Sequence, residues 1–235
     1  MFPLPAGPGE GENLLHLSFL LDERTGVTLI DTGLPHQEER IIAALKTAGL
    51  ALTDLRRIIL THADIDHVGS AAALVRASGA AVLAHELEAP YIEGALPDPT
   101  LRRTPAAILD RMPPKQRAFL TCGFEKVRVD RRLHGGERLD LAGGLRVIHT
   151  PGHAPGHISL YLEQDRALIA ADALHRYAGR LRPFALMPES MPEAAASVAK
   201  LAELGPEVLV PYHGGVVADR ALGCLRRVAE EHNLR

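Results

Sequence analysis

The apolar stretches 14–21 and 27–30 predict two strands joined by Asp22-Glu23-Arg24-Thr25-Gly26, a hairpin with a glycine-containing loop. The second strand ends in Asp31-Thr32-Gly33, where an Asp beside a Gly reads first as a turn or cap residue. Residues 37–48 place Ile41, Ile42, Leu45 and Ala48 at helical spacing, with Gly49 as the stop. The apolar run 55–60 predicts a buried strand, 71–77 a helix ended by Gly79, and 80–84 a further strand. His85 then reads as an ordinary surface or capping residue.

From 90 to 119 the pattern breaks, as Pro97, Pro99, Pro105, Pro113 and Pro114 interrupt short apolar pieces such as 106–109. A solvated linker has this character, and so does a lid inserted at 90–120 that covers a site, with Tyr91, Met112 and Phe119 as pocket residues. The second half opens β-rich: 127–129, 137–141 and 145–149 are expected strands, with Gly135-Gly136 and Gly143-Gly144 as turns. In the loop 150–157, two Pro and two Gly fix the backbone path around His153. A hairpin over 158–162 and 167–171 leads to Asp172. A helix over 191–204 has Pro192 in its first turn and Gly205 past its end. A strand at 208–210 and a closing helix at 218–231, with Asp219 near its start, complete the chain.

Chemistry concentrates where strands end. After Arg57-Ile58-Ile59-Leu60 comes Thr61-His62-Ala63-Asp64-Ile65-Asp66-His67-Val68-Gly69, with four metal-ligating side chains within six residues. A polar loop after a strand is commonly a turn plus a helix cap, with Asp66 as the N-cap. The same arrangement recurs, however, at Gly152-His153, at Ala170-Ala171-Asp172 and at Pro211-Tyr212-His213-Gly214. Each places a His or Asp after an apolar run, and four such sites make coincidence a poor explanation. His149 and His157 flank His153 and read as structural or supporting residues.

Composition narrows the partners. A chain of 235 residues with 46% hydrophobic and 23% charged residues is large enough for one sizeable core, or at most two small domains, and is ordinary for a soluble globular protein. A net charge of -3 argues against a nucleic-acid partner, which favours a basic surface. Cys122 and Cys224 are too few for a zinc cysteine cluster or a disulfide framework and fit inert thiols in a reducing cytoplasm. The Pro- and Gly-rich start, 1–13, does not have the form of a secretory signal, and the apolar stretches are too short to span a bilayer.

The ordered set His62, Asp66, His67, His153, Asp172 and His213 resembles the metallo-beta-lactamase fold hydrolases, whose first motif reads His-x-His-x-Asp-His. The chain departs at Asp64, where that motif has its second His. The resemblance covers nearly the whole chain and implies one α/β domain over 1–235, a four-layered αβ/βα sandwich, with the 90–120 segment in the place of the family's variable insertions. By matching positions, His62, Asp64 and His153 would hold one divalent ion, Asp66, His67 and His213 a second, and Asp172 would bridge them. Asp31 would support a ligand or its loop from behind. Two such ions, zinc in the first place, would lower the pKa of a bound water to about 7 and give a hydroxide that attacks a carbonyl or phosphoryl centre. Asp66 would orient that nucleophile and pass a proton to the leaving group. A carboxylate at Asp64 adds a hard anionic ligand and shifts preference towards Mn or Fe.

Residues 150–160 look most like the lactonase branch. There a Tyr three positions after the bridging Asp binds the substrate carbonyl; here His175 occupies that place, with Tyr177 two residues on. A His can donate the same hydrogen bond or act as a general acid. The expected activity is hydrolysis of a small ester, lactone or thioester in the cytoplasm, without membrane or nucleic acid, by a chain for which a homodimer is an open state. The alternatives are a glyoxalase II-like thioesterase, a mononuclear iron persulfide dioxygenase-like enzyme, and a degenerate, metal-poor binding protein.

Overall fold

The computed structural model describes residues 2–5, 14–99, 106–177, 179–185, 190–218 and 220–233. Pro105, Asp219 and the side chains of Phe119 and Tyr177, singled out above, lie outside the described residues. The chain divides into two compact units, 1–13 with 17–132 and 14–16 with 133–235.

The sheet of the first unit runs β1 (Phe2–Pro5), β2 (Leu14–Asp22), β3 (Gly26–Ile30), β4 (Leu55–Leu60), β5 (Ala81–His85) and β6 (Arg131–Leu133), in that spatial order. β2 and β3 form the expected hairpin, with Asp22 opposite Gly26. β3, β4 and β5 are parallel. Parallel neighbours need crossovers; α1 (Glu38–Thr47) supplies the first, and α2 (Ile65–Val68) with α3 (Ala71–Ser78) the second. The apolar runs are explained by this placement. Ile58, Ile59, Leu60, Val82 and Leu83 are buried, and each large side chain so buried contributes about 1.5–3 kcal/mol.

Within the proline-rich segment lie α4 (Ala89–Ile92), α5 (Ala106–Leu109) and α6 (Pro114–Thr121). Pro90 and Pro114 stand in the first turns of α4 and α6, where a missing N–H costs nothing. The strand expected at 127–129 does not form. Val127 donates to the Ile92 carbonyl (3.2 Å) and Asp130 to that of Val82 (2.8 Å), single bonds along an extended segment.

The second unit contains β7 (Arg138–Leu139), β8 (Leu145–His149), β9 (Ile158–Leu162), β10 (Ala167–Ala171), β11 (Leu174–Tyr177), β12 (Arg180–Pro183) and β13 (Val208–Pro211). Its main sheet has the order β13-β10-β9-β8-β7, while β11 and β12 pair as a separate hairpin that the apolar pattern did not announce. β10 and β13 are parallel, with α7 (Met191–Glu203) in the connection, and α8 (Ala221–Asn233) closes the chain. Leu168, Val198, Leu201, Leu209, Leu225 and Val228 pack the strands against both helices.

In each unit two parallel strands end level. Ile30 faces Ile59, and the Asp31 N–H donates to the Ile59 carbonyl (2.9 Å). Ala171 faces Pro211, so Asp172 and His213 follow neighbouring strand ends. The carboxyl ends of parallel strands are where α/β sheets gather their functional side chains. Asp31 (φ 58°) and Ala171 (φ 46°) hold left-handed conformations at those ends, a strain of the kind found where a backbone is turned for a site.

Candidate metal centre

β4 delivers Thr61 and His62, and α2 starts just beyond. Asp64, rather than the expected Asp66, holds the N-cap position, yet its side chain makes no capping hydrogen bond. Its Oδ2 instead lies 3.4 Å from His62 Nε2. Asp66 sits in the first turn of α2 with Oδ2 3.8 Å from His67 Nε2. The two imidazoles lie 3.9 Å apart between ring centroids. His62, Asp64 and His67 are buried, and Asp66 is half-buried.

Asp31 organises this group. Its Oδ1 accepts the Thr61 N–H (2.8 Å), and its Oδ2 accepts Nδ1–H of His67 (2.9 Å). The Thr61 hydroxyl donates to Oδ2 (2.8 Å), which leaves its oxygen to accept Nδ1–H of His62 (3.1 Å). This assignment follows from matching donors to acceptors. With both protons on Nδ1, each ring turns an Nε2 lone pair away from the support, as metal-holding histidines require. Buried Glu88 accepts the Ala63 N–H (3.0 Å) and so ties down the backbone between His62 and Asp64.

In the second unit one carboxylate oxygen, Asp172 Oδ2, lies 3.6 Å from His153 Nε2 and 3.5 Å from His213 Nε2. His153 and Asp172 are buried and His213 half-buried. Gly152 has φ 128° and lies against the backbone of Ala194 in α7, so only a residue without Cβ lets this loop seat His153. His157, buried, accepts the Asp172 N–H at Nε2 (3.1 Å) and donates from Nδ1 to Thr150 (2.8 Å). Thr150 passes its proton towards Ser159 (3.0 Å), which donates to the Ala170 carbonyl (3.0 Å). With both ring nitrogens so engaged, His157 steadies the Asp172 backbone. His149 donates from Nε2 to the Pro155 carbonyl (2.8 Å) across the same loop.

These spacings match the chemistry of an ion. The His–Asp separations of 3.4, 3.5 and 3.6 Å exceed the hydrogen-bond range of about 2.7–3.2 Å. Ligands of one tetrahedral ion at about 2.0–2.1 Å stand about 3.3 Å from each other. Imidazole and carboxylate donors at that separation fit a divalent cation, and all seven expected ligands are among the residues able to hold one.

His175 is on β11, opposite Arg182, and is not a surface loop residue. Its Nδ1 is buried and has no hydrogen-bond partner among the described residues. Burial holds the pKa of His175 below its ordinary value; Asp172 opposes this, while His213, Arg182 and His153 add to it. The ring of Phe184 lies 4.6 Å from His153, 4.8 Å from His175 and 6.3 Å from His213. Neither Phe184 nor Glu88 was singled out from the sequence. Phe184 opens a short apolar run between Pro183 and Pro188 that carries no motif, and Glu88 follows the strand end marked by His85. His85 itself is buried rather than on the surface, and its Nδ1 accepts the Leu87 N–H (3.3 Å) in the turn before α4, whose N-cap is Glu88.

Residues 12–213 match the sequence profile of the metallo-beta-lactamase superfamily. The chain belongs to this superfamily. It is similar to "Probable metallo-hydrolase YflN" of Bacillus subtilis (strain 168), with 30% identity over 214 residues, 83% of this chain and 78% of that protein. A hydroxyacylglutathione hydrolase of Rhizobium meliloti (strain 1021) is 30% identical over 139 residues, 59% of this chain and 40% of that one. An N-acyl homoserine lactonase of a Bacillus species is 26% identical over 192 residues, 71% and 66% of the two chains. Among solved structures, TTHA1429 from Thermus thermophilus, a metallo-beta-lactamase family protein, aligns with TM-score 0.75 and 26% identity over 99% of this chain and 79% of its own. TTHA1623, in a di-iron-bound form, aligns with TM-score 0.65 and 29% identity over 97% and 98%.

The chain is thus a metallo-hydrolase of the α/β class with the metallo-beta-lactamase fold, and it carries His and Asp groups able to hold metal. Among the described residues no helix is long and apolar enough to cross a membrane.

Proposed function

We propose that the enzyme hydrolyses a small ester, lactone or thioester at a centre of two divalent ions. On the family's ligand order, His62, Asp64 and His153 serve one ion, Asp66, His67 and His213 the other, and Asp172 both. The observation that carries this reading is the placement of Asp172 Oδ2 midway in reach of two histidine Nε2 atoms, at 3.6 and 3.5 Å, as a shared carboxylate requires. A bound pair of ions would supply an acidified water and an electrophilic seat for the scissile carbonyl oxygen.

The chain's own groups then have distinct tasks. Asp66, half-buried and so able to meet solvent, takes the proton released by the nucleophile and returns it to the leaving group. His175, kept neutral by burial, donates an N–H to the substrate carbonyl oxygen. Phe184 gives the acyl portion an apolar wall beside His153 and His175. The segment 90–120 acts as the lid, and 1–235 works as one catalytic domain. Zinc suits the histidines; Asp64 favours Mn or Fe more than an all-histidine set does, and the relative TTHA1623 has a di-iron-bound form.

The relatives named as lactonase and hydroxyacylglutathione hydrolase set the first substrates to try. Chain loaded with Zn, Mn or Fe is assayed on acyl-homoserine lactones, aryl esters and glutathione thioesters beside D172N. Turnover of one class that D172N lowers by at least about a hundredfold, about 2.7 kcal/mol of barrier, is the expected result. Absence of turnover on all three classes by metal-replete protein would overturn the reading.

A further inference from the structure

Within the second unit, the hairpin β11–β12 and helix α8 border an open cleft of about 630 Å³, inside the usual range of small-molecule sites. None of the seven metal-site residues lines it. Four arginines do: Arg176, Arg180 and Arg182 from the hairpin and Arg227 from α8. Several arginines elsewhere find carboxylates, as in Arg138–Glu163 (2.7 Å), Arg132–Glu93 (3.1 Å) and Arg166–Glu207 (3.2 Å). Among the described residues none of these four is so paired, although Glu231 lines the same cavity. The chain carries a net charge of -3, so the cluster is no sample of a generally basic surface.

Like charges gathered around one space repel, and a multiply anionic guest reverses the sign of that interaction. Guanidinium forks match phosphate oxygens in bidentate fashion. Beside Glu231 and His232, the cavity also has an apolar wall: Leu181 and Val217 pack against the core and Val228 belongs to it. A guest with phosphate groups on an organic body satisfies both walls. We propose that this cavity is a binding site for a phosphorylated small molecule, held by Arg176, Arg180, Arg182 and Arg227. The site stands independently of the reaction at the metal centre.

Cys224 also lines the cavity and is a free thiol. In a C122S background it is the sole cysteine, which gives a readout of where a ligand sits. The test is calorimetric titration of this full chain with adenosine 3′,5′-bisphosphate and, separately, with inorganic phosphate, alongside the rate of Cys224 alkylation by iodoacetamide. The expected Kd for the bisphosphate is about 100 μM or tighter, weakened at least about tenfold in R180A/R227A. Bound bisphosphate slows Cys224 alkylation at least threefold, and this protection is lost in R180A/R227A, whose exposed changes leave melting in place. Inorganic phosphate binds more weakly through the same arginines. The proposal is overturned by the absence of saturable binding, by equal binding in the double variant, by alkylation that ligand does not slow, or by phosphate alone reproducing the full affinity.

Discussion

Replacing Asp31 by Asn tests the support beneath the metal ligands with little change of shape. Asp31 has φ 58°, a conformation that Asn tolerates as well as Asp does, so the backbone contributes little to the difference. The amide oxygen can still accept the Thr61 N–H, now at 2.8 Å. The amide NH2 then faces His67 Nδ1, at present 2.9 Å from Asp31 Oδ2, and donor meets donor. His67 escapes only by moving its proton to Nε2, which removes the lone pair that would meet a metal. Loss of a charge-assisted hydrogen bond in a buried setting costs about 1.5–3 kcal/mol. For a chain of this size that corresponds to a fall in Tm of about 3–12 °C in the metal-free protein. Loss of a supporting partner typically weakens metal affinity by about 10- to 100-fold, or about 1.4–2.7 kcal/mol. Competition against a chromophoric chelator measures the affinity, and circular dichroism of the metal-free chain measures the stability. Zinc affinity in D31N within twofold of the parent would refute the argument that Asp31 fixes the His67 tautomer.

Three further perturbations isolate other parts of the account. In G152A the added Cβ meets the Ala194 backbone at a residue with φ 128°; strain and overpacking together cost about 2–5 kcal/mol, read as a lowered midpoint in urea. H175Q probes pH dependence. Burial lowers the folded-state pKa of His175 below 6.5, so between the two values the unfolded chain holds the extra proton and stability rises with pH. Metal-free parent protein should lose stability as pH falls through that window, and H175Q should lose less there; equal slopes in parallel melts would remove the titration of His175 from the account. In D64H, imidazole replaces a hard oxygen donor, and selectivity for Zn over Mn should rise by about tenfold in competitive loading; unchanged selectivity would mean that Asp64 does not reach a metal.

Much of the candidate site was legible because its residues stand at strand ends in a recognisable order. The apolar runs before His62, Asp172 and His213 announced β4, β10 and β13, and glycines and prolines marked the loop of His153. Capping was read less well: the choice between Asp64 and Asp66 at the start of α2 depends on a small shift of register, within the uncertainty of any helix boundary. The expected strand 127–129 has the right residues, but a strand needs a partner ladder, and pairing begins only at Arg131. The β11–β12 hairpin was hidden for the converse reason, since His175, Arg176, Arg180 and Arg182 give it a polar pattern while its partners and Leu174 hold it. Phe184 and Glu88 act through residues distant in sequence, and no local pattern reports such contacts.

The most direct test is the metal content of chain purified without added metal, by elemental analysis against quantified protein, beside D172N. The account predicts about two divalent ions per chain in the parent and a clear loss in D172N. A single ion per chain, or metal content untouched by D172N, would contradict a centre in which Asp172 is shared.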